Sequence, residues 1–171
     1  MPGTPFASLI ESFLHKVEKD KQYFKYFELT DAEAMELARQ RAGYFLEEAI
    51  GELIVRATPT VDFTDIDPIA QCFNFDLTPI EKHIIPWIMY QIYVERDLAY
   101  LKSKEVNFVD KNLKTYDPSN ARQSYKALLD TVIAKVNEYI DIYRNSDRST
   151  GAYLPIDFTV NDAEELNAVR S

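Results

Sequence analysis

The chain has 171 residues, of which 46% are hydrophobic and 13% are aromatic, and its net charge is −9. This apolar content excludes a disordered chain, and the length fits one domain with a real hydrophobic core. A pI near 4.7 argues against a protein that grips the phosphates of nucleic acid, because such proteins present a basic surface.

Cysteine content and the distribution of apolar residues indicate the compartment. Cys72 is the only cysteine, which excludes an internal disulfide and a cysteine metal site, so it reads as a buried, inert thiol. No basic segment leads an apolar run at the amino terminus, so no secretory signal is visible. The longest apolar stretch, residues 84–94, is too short for a bilayer, which takes about 20 residues. We therefore expect a protein of the reducing cytosol that makes no membrane contact.

Helix signals begin near the amino terminus. Thr4 and Pro5 predict an N-cap with proline at the first helical position, followed by a short amphipathic helix that ends near Lys19. The run Thr30-Asp31-Ala32-Glu33 is a capping box, and it predicts a long helix to about Ala57. Between the two helices, residues 23–27 are an aromatic cluster that we expect to pack against the body or a neighbour.

A long loop and two further helices follow. Residues 58–77 lose the helical period and alternate apolar with polar residues, which predicts a loop with short β segments. The capping box Thr78-Pro79-Ile80-Glu81 predicts a helix to about Lys102 that is apolar nearly all round, as a central helix is. Pro86 predicts a kink or a delayed helix start. Asp117-Pro118 opens the last long helix, whose Lys135 falls largely off the apolar face.

The predicted fold class is therefore all-α: a small bundle of about four helices in one domain, residues 1–147, with an extended carboxyl-terminal arm, residues 148–171. Pro155 suits an edge strand, because proline lacks the N–H that a central strand needs. A strand with so much apolar surface needs a partner. We predict that the arm binds a neighbour through a near-alternating set of apolar side chains: Tyr153, Leu154, Ile156, Phe158 and Val160.

The sequence contains few residues in patterns that are typical of catalytic sites. His15 and His83 lie on different predicted helices without a metal-ligand spacing, and no glycine-rich phosphate loop or nucleophile motif is present. We therefore predict no enzyme, no metal and no cofactor. Gly43 and Gly51 fit either a close helix contact or tolerated surface positions. Aromatic residues at helical spacing fit the core better than a ligand site: Trp87, Tyr90 and Tyr93.

Four stretches together resemble the small helical head-to-tail connector (adaptor, or head-completion) proteins of tailed bacteriophages. These are a capped acidic helix from Leu29 to Ala38, an acidic loop from Asp62 to Asp67, an apolar helix closing on Glu95 to Leu98, and the run from Asp117 to Arg148 with an arm beyond. The resemblance covers most of the chain, although its motifs are diffuse patterns.

The resemblance implies a structural virion protein of the neck, made in the host bacterial cytoplasm. It implies a homo-oligomeric, dodecameric ring that docks under the portal protein, meets a stopper or tail-completion protein, and extends the channel for double-stranded DNA without sequence-specific binding. An acidic wall would let DNA slide past. The alternative is a helical protein–protein binding or scaffolding module. Candidate residues for an acidic channel surface are three glutamates of the second helix, which also fit a plain solvated face, and three aspartates of the long loop: Glu47, Glu48, Glu52, Asp62, Asp65 and Asp67.

Overall fold

The computed structural model describes residues 3–18, 23–24, 29–107 and 118–155. Helix α1 spans Phe6–Val17, α2 spans Asp31–Ala57, α3 spans Pro79–Asn107 and α4 spans Pro118–Arg144. Strands β1 (Ile66–Asp67) and β2 (Cys72–Phe73) form an antiparallel pair between α2 and α3. The predicted all-α bundle with short β segments in its long loop is confirmed.

Helix α3 is the centre of the bundle. It packs against α1, α2 and α4, and α2 also contacts α4. Over about three turns, from Ile84 to Val94, most of its residues are buried, as the apolar pattern predicted: Ile84, Ile85, Ile88, Met89, Ile92, Tyr93 and Val94. The helix begins at Pro79 and continues through Pro86, so the predicted delayed start is wrong; it also ends beyond Lys102.

The amphipathic stripes of the other helices cover α3 from three sides. Helix α2 begins at the predicted capping box, in which Thr30 accepts from the Glu33 amide and the Glu33 carboxylate accepts from the Thr30 amide. The aromatic cluster before it reaches the core through Tyr23, whose hydroxyl donates to the Ala38 carbonyl at 3.0 Å. Glycines 43 and 51 have open space where a Cβ would stand, which supports the reading as tolerated surface positions.

The residues before α1 form hydrogen bonds with the long loop, and Thr4 does not cap α1. The N-cap of α1 is Pro5, without a side-chain cap, so the predicted N-cap at Thr4 is wrong. Thr4 is buried, and its hydroxyl oxygen accepts from the Leu77 amide at 2.9 Å. Gly3 allows this approach, because an added Cβ would lie 2.2 Å from the Phe73 carbonyl oxygen. The segment therefore pairs with β2 and extends the small sheet on that side.

Aromatic packing gives the loop its own core. Phe63, Phe73 and Phe75 lie with ring centroids 5.4 to 5.9 Å apart, and Phe6 of α1 contacts Phe73 at 5.2 Å. Cys72 is buried beside them, as predicted for an inert thiol. The loop is consequently a packed element that holds the start of α3 in place.

Candidate functional site

The arm root, which we define as Asn145–Pro155, begins with a turn organised by one aspartate. The Asp147 carboxylate accepts from the amides of Ser149 (3.0 Å) and Thr150 (2.8 Å) and from both of their hydroxyls. These hydrogen bonds favour the charged form and hold the pKa of the Asp147 carboxyl near about 2. Gly151 then takes a φ of +70°, which glycine adopts at low cost, and its amide donates to the Asp147 carbonyl.

Backbone hydrogen bonds bring the chain back along the end of α4. The Asp147 amide donates to the Ala152 carbonyl at 2.8 Å, and the Leu154 amide donates to the Asn145 carbonyl at 2.7 Å. Ser146 and Tyr153 thereby form an antiparallel bridge. The arm root is a tight, hydrogen-bonded hairpin, which fixes the direction in which the chain leaves the body at Pro155.

A buried ion pair joins this hairpin to the start of α3. The Arg148 guanidinium donates to both Glu81 carboxylate oxygens, at 2.8 and 3.1 Å, and to the Asp76 carbonyl at 3.0 Å. It also lies over the Phe75 ring. Hydrogen bonding to Glu81 raises the pKa of Arg148. Tyr143 completes the site by donating its hydroxyl to Glu81 at 2.9 Å, and burial together with this carboxylate raises the pKa of Tyr143.

The capping box of α3 explains why a carboxylate is tolerated at a fully buried position. Glu81 has an exposed fraction of 0%, and it accepts from the Thr78 amide at 2.7 Å while its own amide donates to the Thr78 hydroxyl oxygen. One residue therefore caps a helix and binds the arm root. Because each Glu81 oxygen has two donors, the charge is fully compensated in spite of its burial.

The predicted arm residues fall into two groups. Tyr153 and Leu154 belong to the arm root, and 71% and 51% of their surfaces are exposed. They point away from the helical core, although their backbone is held against it. The other three predicted contact residues, Ile156, Phe158 and Val160, lie outside the described residues.

The predicted acidic surface divides into glutamates on α2 and aspartates in the loop. Glu47, Glu48 and Glu52 are exposed, but Glu48 forms an ion pair with Arg96 of α3. Asp62 accepts from the Thr64 amide and Asp67 from the Ile69 and Ala70 amides, so both hold turns.

Asp65 accepts from the Asn74 side chain at 2.7 Å across the hairpin. The loop aspartates thus have structural partners, whereas Glu47 and Glu52 have only solvent among the described residues.

Among the described residues, neither histidine, His15 or His83, lies in a cluster of side chains that could bind a metal ion. His15 lies 3.7 Å from Glu18 on the surface, and the His83 ring packs edge-on against Tyr139. Across the described ranges, no three histidine, cysteine, aspartate or glutamate side chains converge so that they could hold a metal ion. In the same ranges, no helix is long and apolar enough to cross a membrane.

A cleft between α2 and α3 is a second candidate site. It has a volume of 440 Å³ and combines two arginines, Arg41 and Arg96, with exposed tyrosines, Tyr44 and Tyr100. Arginine and tyrosine are enriched at the energetic centres of protein interfaces. The residues of this cleft come from two helices and from Tyr23 before α2, so the sequence pattern did not single them out.

Comparisons with known proteins gave no match: no family model, no curated protein and no solved structure matched this chain.

Proposed function

We propose that the chain is a structural assembly protein whose carboxyl-terminal arm binds another polypeptide, and that this assembly is the ring-forming head–tail connector of a virion neck. The observation that carries the proposal is the arm root: an exposed pair of apolar side chains, Tyr153 and Leu154, on a backbone held by a buried ion pair.

The anchoring of the arm root favours binding by strand addition. An extended segment that must order on binding loses conformational entropy, and this loss reduces its affinity. Arg148 and the Asp147 turn order the root before any partner arrives. Successive side chains of an extended strand point to opposite sides, so Tyr153 and Leu154 can fill pockets on a partner while backbone groups pair with its edge.

The acidic surface supports the more specific connector proposal. Glu47 and Glu52 are exposed on α2, and the loop aspartates remain exposed or half-exposed although they hold turns. Carboxylates repel DNA phosphates, so a channel wall of this composition would let a duplex move without adhering. Glu48 contributes less, because Arg96 neutralises it.

The cleft between α2 and α3 favours the second candidate, a helical binding or scaffolding module without catalytic activity. Arg41, Tyr44 and Tyr100 line the cleft, and arginine and tyrosine side chains are enriched in protein interfaces. In this case the cleft, and not the arm, would be the main binding surface.

The two candidates are separated by mixing the full chain with the portal protein of the same virus and measuring mass by light scattering after sizing chromatography. We expect rings on the portal for the wild type. The variant Tyr153→Ser/Leu154→Ser should bind about 100-fold more weakly, since each buried anchor contributes about 1–2 kcal/mol.

Ile69→Ser is the matched control, because Ile69 is an equally apolar residue that is 94% exposed in the loop. It should assemble as the wild type does. Full assembly of the arm variant, or a wild-type chain that stays monomeric with the portal, would contradict the connector proposal. Substitution of Tyr44 and Tyr100 by serine then tests the binding module.

A further inference from the structure

Three helices bring two lysines to one indole ring. Lys16 of α1 and Lys135 of α4 place their ammonium nitrogens 3.8 and 4.9 Å from the ring centroid of Trp87 of α3. We call these residues the lysine–tryptophan cluster. Each lysine gains a cation–π contact with the ring, but the two positive charges repel one another.

This positive charge has no counter-charge within the described ranges. Neither Lys16 nor Lys135 has a carboxylate within ion-pair distance there. Burial and the neighbouring Lys135 lower the pKa of Lys16, and burial and both lysines lower the pKa of His83 beside the ring. The indole N–H of Trp87 is covered from solvent and has no acceptor among the same residues. In a chain of net charge −9, an uncompensated cationic cluster indicates an anionic ligand.

A groove adjoins the cluster and defines the rest of the ligand. It has a volume of 310 Å³, with Lys16 at its wall and Tyr90, Tyr125 and Leu128 among its lining residues. Its surface is therefore aromatic and aliphatic with a positive charge at one side. A ligand that suits both parts carries carboxylates next to an apolar or aromatic side chain.

The chain carries such a ligand in its terminal segment, residues 156–171. This segment has four carboxylates, Asp157, Asp162, Glu164 and Glu165, against one basic residue, Arg170, and its Phe158 directly follows the carboxylate of Asp157. It begins directly after the exposed end of the arm root at Pro155. Fully extended, a segment of this length reaches about 50 Å, which is enough to cross to another subunit.

We propose that the lysine–tryptophan cluster and its groove are the receptor for the terminal segment of a second copy of this chain. The segment's carboxylates lie beside Lys16 and Lys135, and Phe158 enters the groove. This inference rests on the proposed function, in which the arm binds another polypeptide, and it names that polypeptide as a second copy of the chain and the surface that the arm binds.

The test uses Trp87 as its reporter, because it is the only tryptophan in the chain. Full-length protein is followed by Trp87 fluorescence and by sedimentation from micromolar to near-millimolar concentration. We expect the emission to change as subunits associate, and the association to weaken with added salt. The variant Lys16→Met/Lys135→Met keeps the aliphatic stems but removes both charges. Its association should be at least about tenfold weaker than that of the wild type.

The matched control is Lys82→Met/Lys126→Met, which removes two exposed lysines, one from α3 and one from α4, neither of which lies over the Trp87 ring. It should associate as the wild type does. Circular dichroism of each variant checks that the helices are intact.

A charge exchange makes the test specific. Lys16→Glu/Lys135→Glu reverses the receptor, and replacement of the four segment carboxylates by lysine reverses the ligand. Neither variant should associate alone, whereas an equimolar mixture should restore association, because the reversed segment meets the reversed receptor in another subunit.

Several outcomes would overturn the inference. These are a wild type that does not associate, a receptor variant that associates normally, a mixture that is not restored, and an emission change that depends on the segment but not on concentration. The last result would place the segment in its own groove. If the receptor variant associates normally while Tyr153→Ser/Leu154→Ser fails to assemble on the portal, the receptor is wrong and the proposed function stands.

Discussion

The ion pair between Arg148 and Glu81 should be the largest single electrostatic contribution to the stability of the arm root. Glu81 has no exposed surface, whereas 27% of the Arg148 side chain is exposed. The variant Arg148→Met keeps the packing of the stem but leaves a buried carboxylate without its counter-ion. Losing one partner of a buried pair costs about 3–5 kcal/mol, and we expect about 3 kcal/mol here, because Tyr143 and Thr78 still donate to Glu81.

Urea denaturation followed by far-UV circular dichroism measures this loss. The urea concentration at the midpoint of unfolding should fall, while the m-value stays the same. In a thermal scan the melting temperature should fall by about 10 °C, since a loss of 1 kcal/mol lowers it by about 2–4 °C at this chain length. A double-mutant cycle with Glu81→Gln isolates the pair, since glutamine preserves the capping box. The double variant should be less destabilised than the sum of the single variants.

Arg144→Met is the matched control, because Arg144 is an exposed arginine in the last turn of α4. It should change the free energy of unfolding by less than about 0.5 kcal/mol. The reasoning is refuted if Arg148→Met and Arg144→Met have the same small effect, or if the cycle shows no coupling between Arg148 and Glu81.

Three further predictions follow from local geometry. Gly3→Ala should lower the free energy of unfolding by about 2 kcal/mol, because its Cβ meets backbone oxygens of Phe73 and Phe75; an unchanged urea midpoint would contradict this. Gly43→Ala, in the open interior of α2, should raise it by about 0.5–1 kcal/mol, and a lowered midpoint would show an unseen contact. The pKa of Asp147 is depressed, so its contribution to the turn is complete above the ordinary value of 3.8 and is lost as pH falls through about 2. An NMR titration of the Asp147 carboxyl should give that midpoint, and a midpoint near 3.8 would mean that the turn is open in solution.

The sequence was sufficient for the helices because their signals are local. Each capping box, at Thr30 and at Thr78, is a motif of four consecutive residues, and it predicted where α2 and α3 begin. The apolar run of α3 predicted that this helix lies at the centre of the bundle. The predicted N-cap at Thr4 was wrong because the partner of Thr4 is not local. Its hydroxyl oxygen accepts from an amide 73 residues away, and no local spacing predicts such a partner.

The candidate surfaces depend on contacts between distant elements, so the sequence predicted them only in part. Alternating apolar residues predicted a binding arm, and of these Tyr153 and Leu154 are exposed. Arg148 pairs with Glu81 across 67 residues, which no spacing rule predicts. Lys135 is exposed and lies off the apolar face of its helix, as predicted, but no spacing rule predicts that its ammonium nitrogen lies 4.9 Å from the Trp87 ring centroid.

The hairpin of the arm root has a mechanical consequence. Tension applied at Pro155 pulls on the open end of the hairpin, so it loads the bond from Leu154 to Asn145 first and the bond from Asp147 to Ala152 only afterwards. The root should therefore unzip stepwise at low force, and the load should reach the Arg148 guanidinium only at the end. Two subunits joined through their arms would stretch before either one unfolds, which gives such a joint compliance without loss of its anchor.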